Sequence, residues 1–340
     1  MHPAITAILL GVQSDSSPLS IFKRDNDALR LIIALVQESW VRHVKRTDTP
    51  TKLHRTRYSY EDHIPAGVFV LPRPISFPAP FKDIHGLPVP VNVNMMPFTM
   101  LNPDPHLRTQ DEVFDSHLYC DAHIAKALPN NLKRYAAIVA ACLRRVPGEW
   151  GKVGYITVHE SYVEKGATQR RPGLHIESPG TAPPGASVHG YHKFYCWGGG
   201  RFGTRVPGDL DEYGEVNMEG GIFVASNMAD TCRVWDCLIE DHGKVIGHLG
   251  DIGHMRKAIG GNEAGISLSD GQIAWITDRT PHESLPQPKA GFRQFFRLVT
   301  SEVSGWYEEH NTPSELGVEP TAQIIKGSKF LSSLKSLVLG

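Results

Sequence analysis

The segment Arg170-Arg171-Pro172-Gly173-Leu174-His175-Ile176-Glu177 is the most informative stretch of the sequence. In an extended strand, residues two apart share a face. His175 and Glu177 then point one way, Leu174 and Ile176 the other. An imidazole nitrogen beside a carboxylate oxygen offers two adjacent ligands to a hard or borderline metal ion. A third ligand from a distant strand completes one triangular face of an octahedron. That is the two-His, one-carboxylate pattern, which leaves three positions open on non-haem Fe(II). His282 is the best third ligand. It follows the turn signal Asp270-Gly271 and a strand candidate at residues 272–277, which places it at or just after a strand end.

Arg293 lies eleven residues beyond His282, within Phe292-Arg293-Gln294-Phe295-Phe296-Arg297-Leu298. As a strand, this segment puts Arg293, Phe295 and Arg297 on one face. A guanidinium facing inward from an apolar strand needs a partner, because an unpaired buried charge is costly. A bidentate carboxylate is the natural one. It is either a side chain or the distal end of a dicarboxylic cosubstrate.

His175-Ile176-Glu177, then His282, then Arg293, with the Asp-Gly-strand-His lead-in, resembles the Fe(II)/2-oxoglutarate-dependent oxygenases over roughly residues 150–300. The resemblance implies an α+β fold whose core is a double-stranded β-helix (jelly roll). It implies His175, Glu177 and His282 as Fe(II) ligands and Arg293 as the grip on the far carboxylate of the cosubstrate 2-oxoglutarate, all four in catalytic roles. It further implies O2 and a small organic or amino-acid-like substrate as partners, succinate as coproduct, and hydroxylation as the usual outcome. Two departures stand out. Glu177 replaces the commoner Asp, and Phe295 stands where many members carry Ser. Arg297 is therefore an alternative carboxylate ligand. An iron oxidase or dioxygenase that uses no 2-oxoglutarate, and a non-catalytic β-sandwich binding or scaffold protein, are the competing readings.

Other side chains receive weaker assignments. A lone His-x-Glu is a weak signal among 17 histidines. His189, His192, His248 and His254 lack the i+2 carboxylate and downstream arginine, so they are assigned to surface or supporting roles. Asp278 and Glu283 read as solvated surface acids. Arg279 is a secondary candidate for a substrate carboxylate. Tyr155, Tyr191, Phe194 and Trp197 read as core aromatics that also suit a pocket wall. Gly198-Gly199-Gly200 reads as a hairpin or barrel corner.

The elements needed to position these groups are short strands. Residues 153–159, 191–197, 221–226, 231–239, 272–277 and 292–300 are rich in β-branched and aromatic residues and are punctuated by Gly and Asp-Gly. Residues 251–259 suggest a brief helix, and residues 303–309 a strand-to-helix transition. Upstream, residues 27–46 and 110–145 carry helical periodicity. Between them, residues 47–113 hold ten prolines from Pro65 to Pro105, which excludes long helices and suggests an ordered extended wrap with short edge strands. A short amphipathic helix is expected at residues 328–339. The organisation is thus a helical and Pro-rich region (1–149), a β core (150–312) and a C-terminal extension (313–340).

Composition bounds the rest. A chain of 340 residues can bury a full core without staples. Thirty-five Lys and Arg against 36 Asp and Glu give a net charge of −1, so there is no electrostatic case for nucleic acid or an anionic membrane. No apolar run reaches the length of a membrane span, and residues 7–12 lack the basic leader of a signal peptide. Five cysteines, an odd number without metal-type spacing, point to reduced thiols and a cytoplasmic location.

Overall fold

The computed structural model describes residues 67–71, 73–103, 122–177, 196–202, 218–239 and 245–326. The expected helix at 27–46, the start of the 110–145 helix, the strand at 191–195, the C-terminal helix, Tyr191, Phe194, His189 and His192 lie outside these residues.

The strands run in order as β1 Val68–Val70, β2 Phe81–Lys82, β3 Pro88–Val89, β4 Asn92–Thr99, β5 Val153–Val163, β6 Arg201–Phe202, β7 Met218–Glu219 and β8 Ile222–Ser226. They continue as β9 Cys232–Trp235, β10 Gly265–Ser267, β11 Ala274–Ile276, β12 His282–Ser284, β13 Gly291–Val299, β14 Gly305–Tyr307 and β15 Gln323–Ile325. The longest helix among the described residues, α1, spans Ala136–Leu143. The described residues are therefore mostly antiparallel β with little helix.

Two open sheets dominate. One has six strands in the order β1-β11-β8-β13-β5-β4, the other three in the order β10-β9-β12. Every pairing in both is antiparallel. From β8 onward the chain passes back and forth between them. Their facing sides share one apolar cluster, to which β8 gives Ile222 and Val224, β9 gives Cys232 and Val234, and β13 gives Phe295 and Val299. The outer side of the large sheet packs Ile156, Val158, Phe296 and Leu298 against α1. Ile138, Val139 and Leu143 of α1 are fully buried there, each contributing about 1.5–3 kcal/mol by leaving water. A helix apolar on nearly every side fits such a covered position.

Where it is described, at residues 67–71 and 73–103, the proline-rich stretch is extended with short edge strands, as its composition suggests. β1 adds an edge strand to β11, and backbone N–H groups of Leu71 and Ile75 continue that edge onto Ile273 and Gly271. Pro97 falls in β4, the opposite edge, where one N–H face needs no partner. A register shift between Val93 and Met96, with Met95 at a φ of 48°, bulges β4 beside Asn94.

Two local expectations are corrected. Residues 251–259 form no α-helix but a 3-10 turn at Gly253–Met255, because Asp251 and Ile252 are drawn into strand-like pairing with residues 174–175. Residues 305–307 form β14, paired in parallel with β15, with no helix in the described residues 308–326. The Gly198–Gly200 run is a corner. A Cβ on Gly198 would stand 2.7 Å from the carbonyl oxygen of Gly221, so this backbone approach requires glycine.

Candidate functional site

β13 is central in the large sheet, and its alternation sets the site. Phe296 and Leu298 face α1, so Arg293, Phe295 and Arg297 face the small sheet. Opposite them on β5 stand Ser161, His159 and Thr157. A cavity of about 420 Å³ opens between the sheets, and its wall includes His175, Glu177, His282, Arg293 and Arg297. All five residues singled out from the sequence therefore line one space.

The two histidines meet through their backbones. His175 N–H donates to His282 O at 3.0 Å and His282 N–H to His175 O at 2.9 Å, which brings the ring centroids to 4.5 Å. Leu174 and Ile176 point the other way into a separate apolar cluster with Trp235 and Ile252. The His-x-Glu alternation is thus anchored by packing on one side. Each imidazole also has a local acceptor. Nδ1 of His175 lies 2.7 Å from Gly173 O, and Nδ1 of His282 lies 2.9 Å from Thr280 O. A carbonyl only accepts, so each Nδ1 carries a proton and Nε2 is the ring nitrogen left to meet a ligand. Burial, then the neighbouring His282 and Arg171, hold His175 well below the usual imidazole range and keep it neutral.

Glu177 is the carboxylate of the group. Burial alone would raise its pKa, but Arg297, then His282 and His175, outweigh this and hold it well below the usual range. Its Oε1 accepts from Arg297 Nη1 at 2.5 Å and stands 3.6 Å from His282 Nε2. Among the described residues no three His, Cys, Asp or Glu side chains are gathered at metal-binding separations. The carboxylate is turned onto Arg297 instead.

Arg293 differs from Arg297. It is 1% exposed, yet donates only to neutral oxygens: Ser226 Oγ at 3.2 Å, Thr231 O at 3.2 Å and Ser284 Oγ at 3.5 Å. Burial pulls its pKa down to about 10, so it remains a cation at neutral pH. The two arginines that the sequence left as alternatives thus have distinct places. Arg297 serves Glu177, and Arg293 has no acidic partner among the described residues. The hydroxyls beside Arg293 come from β8 and β12, not from position 295.

Sequence reasoning missed several residues of the site. Ser226, Thr231 and Ser284 were invisible because three separate segments bring them to Arg293. Arg170 was in view beside Pro172 but had no role assigned; its guanidinium lies 5.1 Å from the centroid of Phe295. Burial, then Arg297, lower its pKa to about 10. Two acids are corrected. Asp278 and Glu283 are both buried, not solvated. Glu283 pairs with Arg256 at 2.5 Å and with Arg233 at 3.6 Å. Asp278 accepts from Trp197 N–H at 3.2 Å. Arg279 and His254 lie outside the cavity wall, whereas Trp197 belongs to it.

The sequence matches no protein-family model, and no curated protein matches it. The residues themselves must carry the assignment. Two imidazoles that present Nε2 and one ionised carboxylate are donor types suited to a divalent ion such as Fe(II). Backbone carbonyls behind both rings supply the outer hydrogen bonds that orient metal-binding histidines. The donor set therefore fits the ion, with Glu177 shared between that ion and Arg297.

Proposed function

We propose that this protein is an Fe(II)- and 2-oxoglutarate-dependent oxygenase, with its two sheets forming a jelly-roll core, that hydroxylates a small organic or amino-acid-like substrate. One observation carries the reading. A buried guanidinium without an acidic partner among the described residues, Arg293, lines the same cavity as His175, Glu177 and His282. A metal-binding triad alone suits many oxidases. The added cation calls for an anionic cosubstrate.

His175, Glu177 and His282 would hold the iron. Bound iron supplies the redox chemistry, with O2, that couples oxidative decarboxylation of 2-oxoglutarate to succinate and CO2 with insertion of one oxygen atom into substrate. The chain supplies position. Arg293 would take the distal carboxylate of 2-oxoglutarate in a charge-assisted pair, with the Ser226 and Ser284 hydroxyls as further donors. Arg297 keeps Glu177 ionised and oriented. Apolar walls at Val224 and Phe295 exclude water and strengthen these interactions. No helix among the described residues is long and apolar enough to cross a membrane. Among the described residues Cys142, Cys196 and Cys232 are in no disulfide, which supports placing the protein in a reducing compartment.

The test is succinate formation by the full chain with Fe(II), 2-oxoglutarate and air. We expect succinate above background, and its loss in His282→Ala. Metal binding without succinate or 2-oxoglutarate binding would instead favour an oxidase that uses no keto acid.

A further inference from the structure

The cavity wall carries four guanidinium groups, those of Arg170, Arg171, Arg293 and Arg297. Among the described residues two acids face them, Glu177 and Glu283. Glu283 is already committed to Arg256 and Arg233, which leaves Glu177 as the local counter-charge. Under the function proposed above, a divalent ion and a doubly charged cosubstrate cancel each other. They leave the excess of positive charge in place. Arg171 is exposed at the mouth and screened by water. Arg170 is not so relieved. It is only partly exposed, and among the described residues it makes no hydrogen bond or ion pair. It lies near the ring of Phe295, whose centroid is 5.1 Å from the Arg170 guanidinium carbon and 5.9 Å from that of Arg293.

Arg170 is held in place by its neighbour. Gln169 Nε2 donates to His159 O at 3.1 Å, Ser161 Oγ at 3.0 Å and Arg293 O at 3.0 Å, tying this segment to β5 and β13. Two of those acceptors are carbonyls, so the amide nitrogen must face them. The buried Oε1 is left without a partner, and Gln169 lines the same cavity. Among the described residues, a cation without an ion-pair partner and an acceptor without a donor thus sit on adjacent residues of one cavity wall.

We propose that the substrate is a carboxylic acid, bound by its carboxylate to Arg170 and by an N–H or O–H group to Gln169 Oε1. This rests on the oxygenase reading only in calling the ligand a substrate; the anion site itself does not depend on it. Arg170 is a binding residue here, distinct from the cosubstrate clamp at Arg293.

The probes are N-acetyl-L-phenylalanine and N-acetyl-L-phenylalaninamide, which share a skeleton and its N–H groups and differ in charge. Each is titrated into the full chain loaded with Mn(II), with and without saturating 2-oxoglutarate, and followed by ligand-observed NMR. We expect the acid to bind at least about tenfold more tightly than the amide, as a charge-assisted pair implies. That preference should survive 2-oxoglutarate, vanish in Arg170→Gln and persist in part in Arg170→Lys. Affinity for 2-oxoglutarate should stay the same in Arg170→Gln. Equal binding of acid and amide, or no binding of either at millimolar concentration, would overturn the proposal. So would a preference removed by 2-oxoglutarate or by Arg293→Gln, since the acid would then be sitting on the cosubstrate clamp. Should the wild-type chain fail to bind 2-oxoglutarate while keeping the acid preference, the oxygenase reading falls and the anion site stands.

Discussion

The two faces of the β5–β13 pair each bury a carboxylate, and the two are treated in opposite ways. On the outer face, Glu160 is fully buried and accepts from Arg134 Nη2 at 2.6 and 2.7 Å, Gln294 Nε2 at 3.0 Å, Val91 N–H at 2.9 Å and the Tyr135 hydroxyl. Burial, then the hydrogen bond to Glu160, push the Tyr135 phenol above its ordinary range, so it stays a donor at any working pH. On the inner face, Glu177 accepts one strong bond from Arg297 and is surrounded by further cations. The Glu160 charge on the outer face is answered from within the chain. The inner face is answered only if something enters. That contrast separates a network that holds the fold from one prepared for ligands.

The sharpest way to break the comparison is to remove one inner ligand. His175→Ala should reduce succinate formation to background and weaken divalent-ion binding, while the urea midpoint stays close to wild type. Retained turnover with a normal iron content would contradict its role. The outer face should respond in the opposite sense. Glu160→Ala leaves Arg134, the Tyr135 hydroxyl and Gln294 without their acceptor, and should cost about 3–5 kcal/mol in chemical denaturation. A loss below about 1 kcal/mol would mean that the network is not holding the fold.

Asp278 sharpens the contrast through pH. It is a third buried carboxylate, answered by the single Trp197 N–H. Burial, only partly relieved by that bond and by Arg279, raises its pKa to about 7. An unfolded chain ionises Asp near about 4. Between these values the folded state keeps a proton that the unfolded state has lost. Its contribution to stability is therefore full below pH about 4, falls as pH rises towards about 7 and is flat above. The fall is at most about 4 kcal/mol. Asp278→Asn should flatten that part of the stability–pH curve; an unchanged slope would rule out this group as the source. The smallest effect is Tyr135→Phe, which removes one of several bonds to Glu160 and should cost about 1.5–3 kcal/mol, read from the same denaturation curves.

Much of the inner face was legible because its signals are local. Alternation along Arg293, Phe295 and Arg297, and along His175 and Glu177, follows from a period of two, and the strands at β5, β8, β9, β11 and β13 announce themselves by composition. What escaped depends on partners remote in sequence. Glu283 looks like a surface acid until β12 pairs with β9 and sets it opposite Arg233. Ser226 and Ser284 acquire meaning only when the chain crosses between sheets and brings both to Arg293. The helix expected at 251–259 failed because pairing with His175 takes the backbone of Asp251, a tertiary demand that local periodicity does not record.

The central claim is that Arg293 awaits an anionic cosubstrate held beside the His175–Glu177–His282 group. Calorimetric titration of 2-oxoglutarate into the Mn(II)-loaded full chain, with wild type and Arg293→Gln side by side, tests it most directly. The expected result is metal-dependent binding to wild type, weakened about tenfold or more in Arg293→Gln because a charge-assisted pair has gone. Binding of equal strength in the two proteins, or no binding to wild type with metal in place, would contradict it.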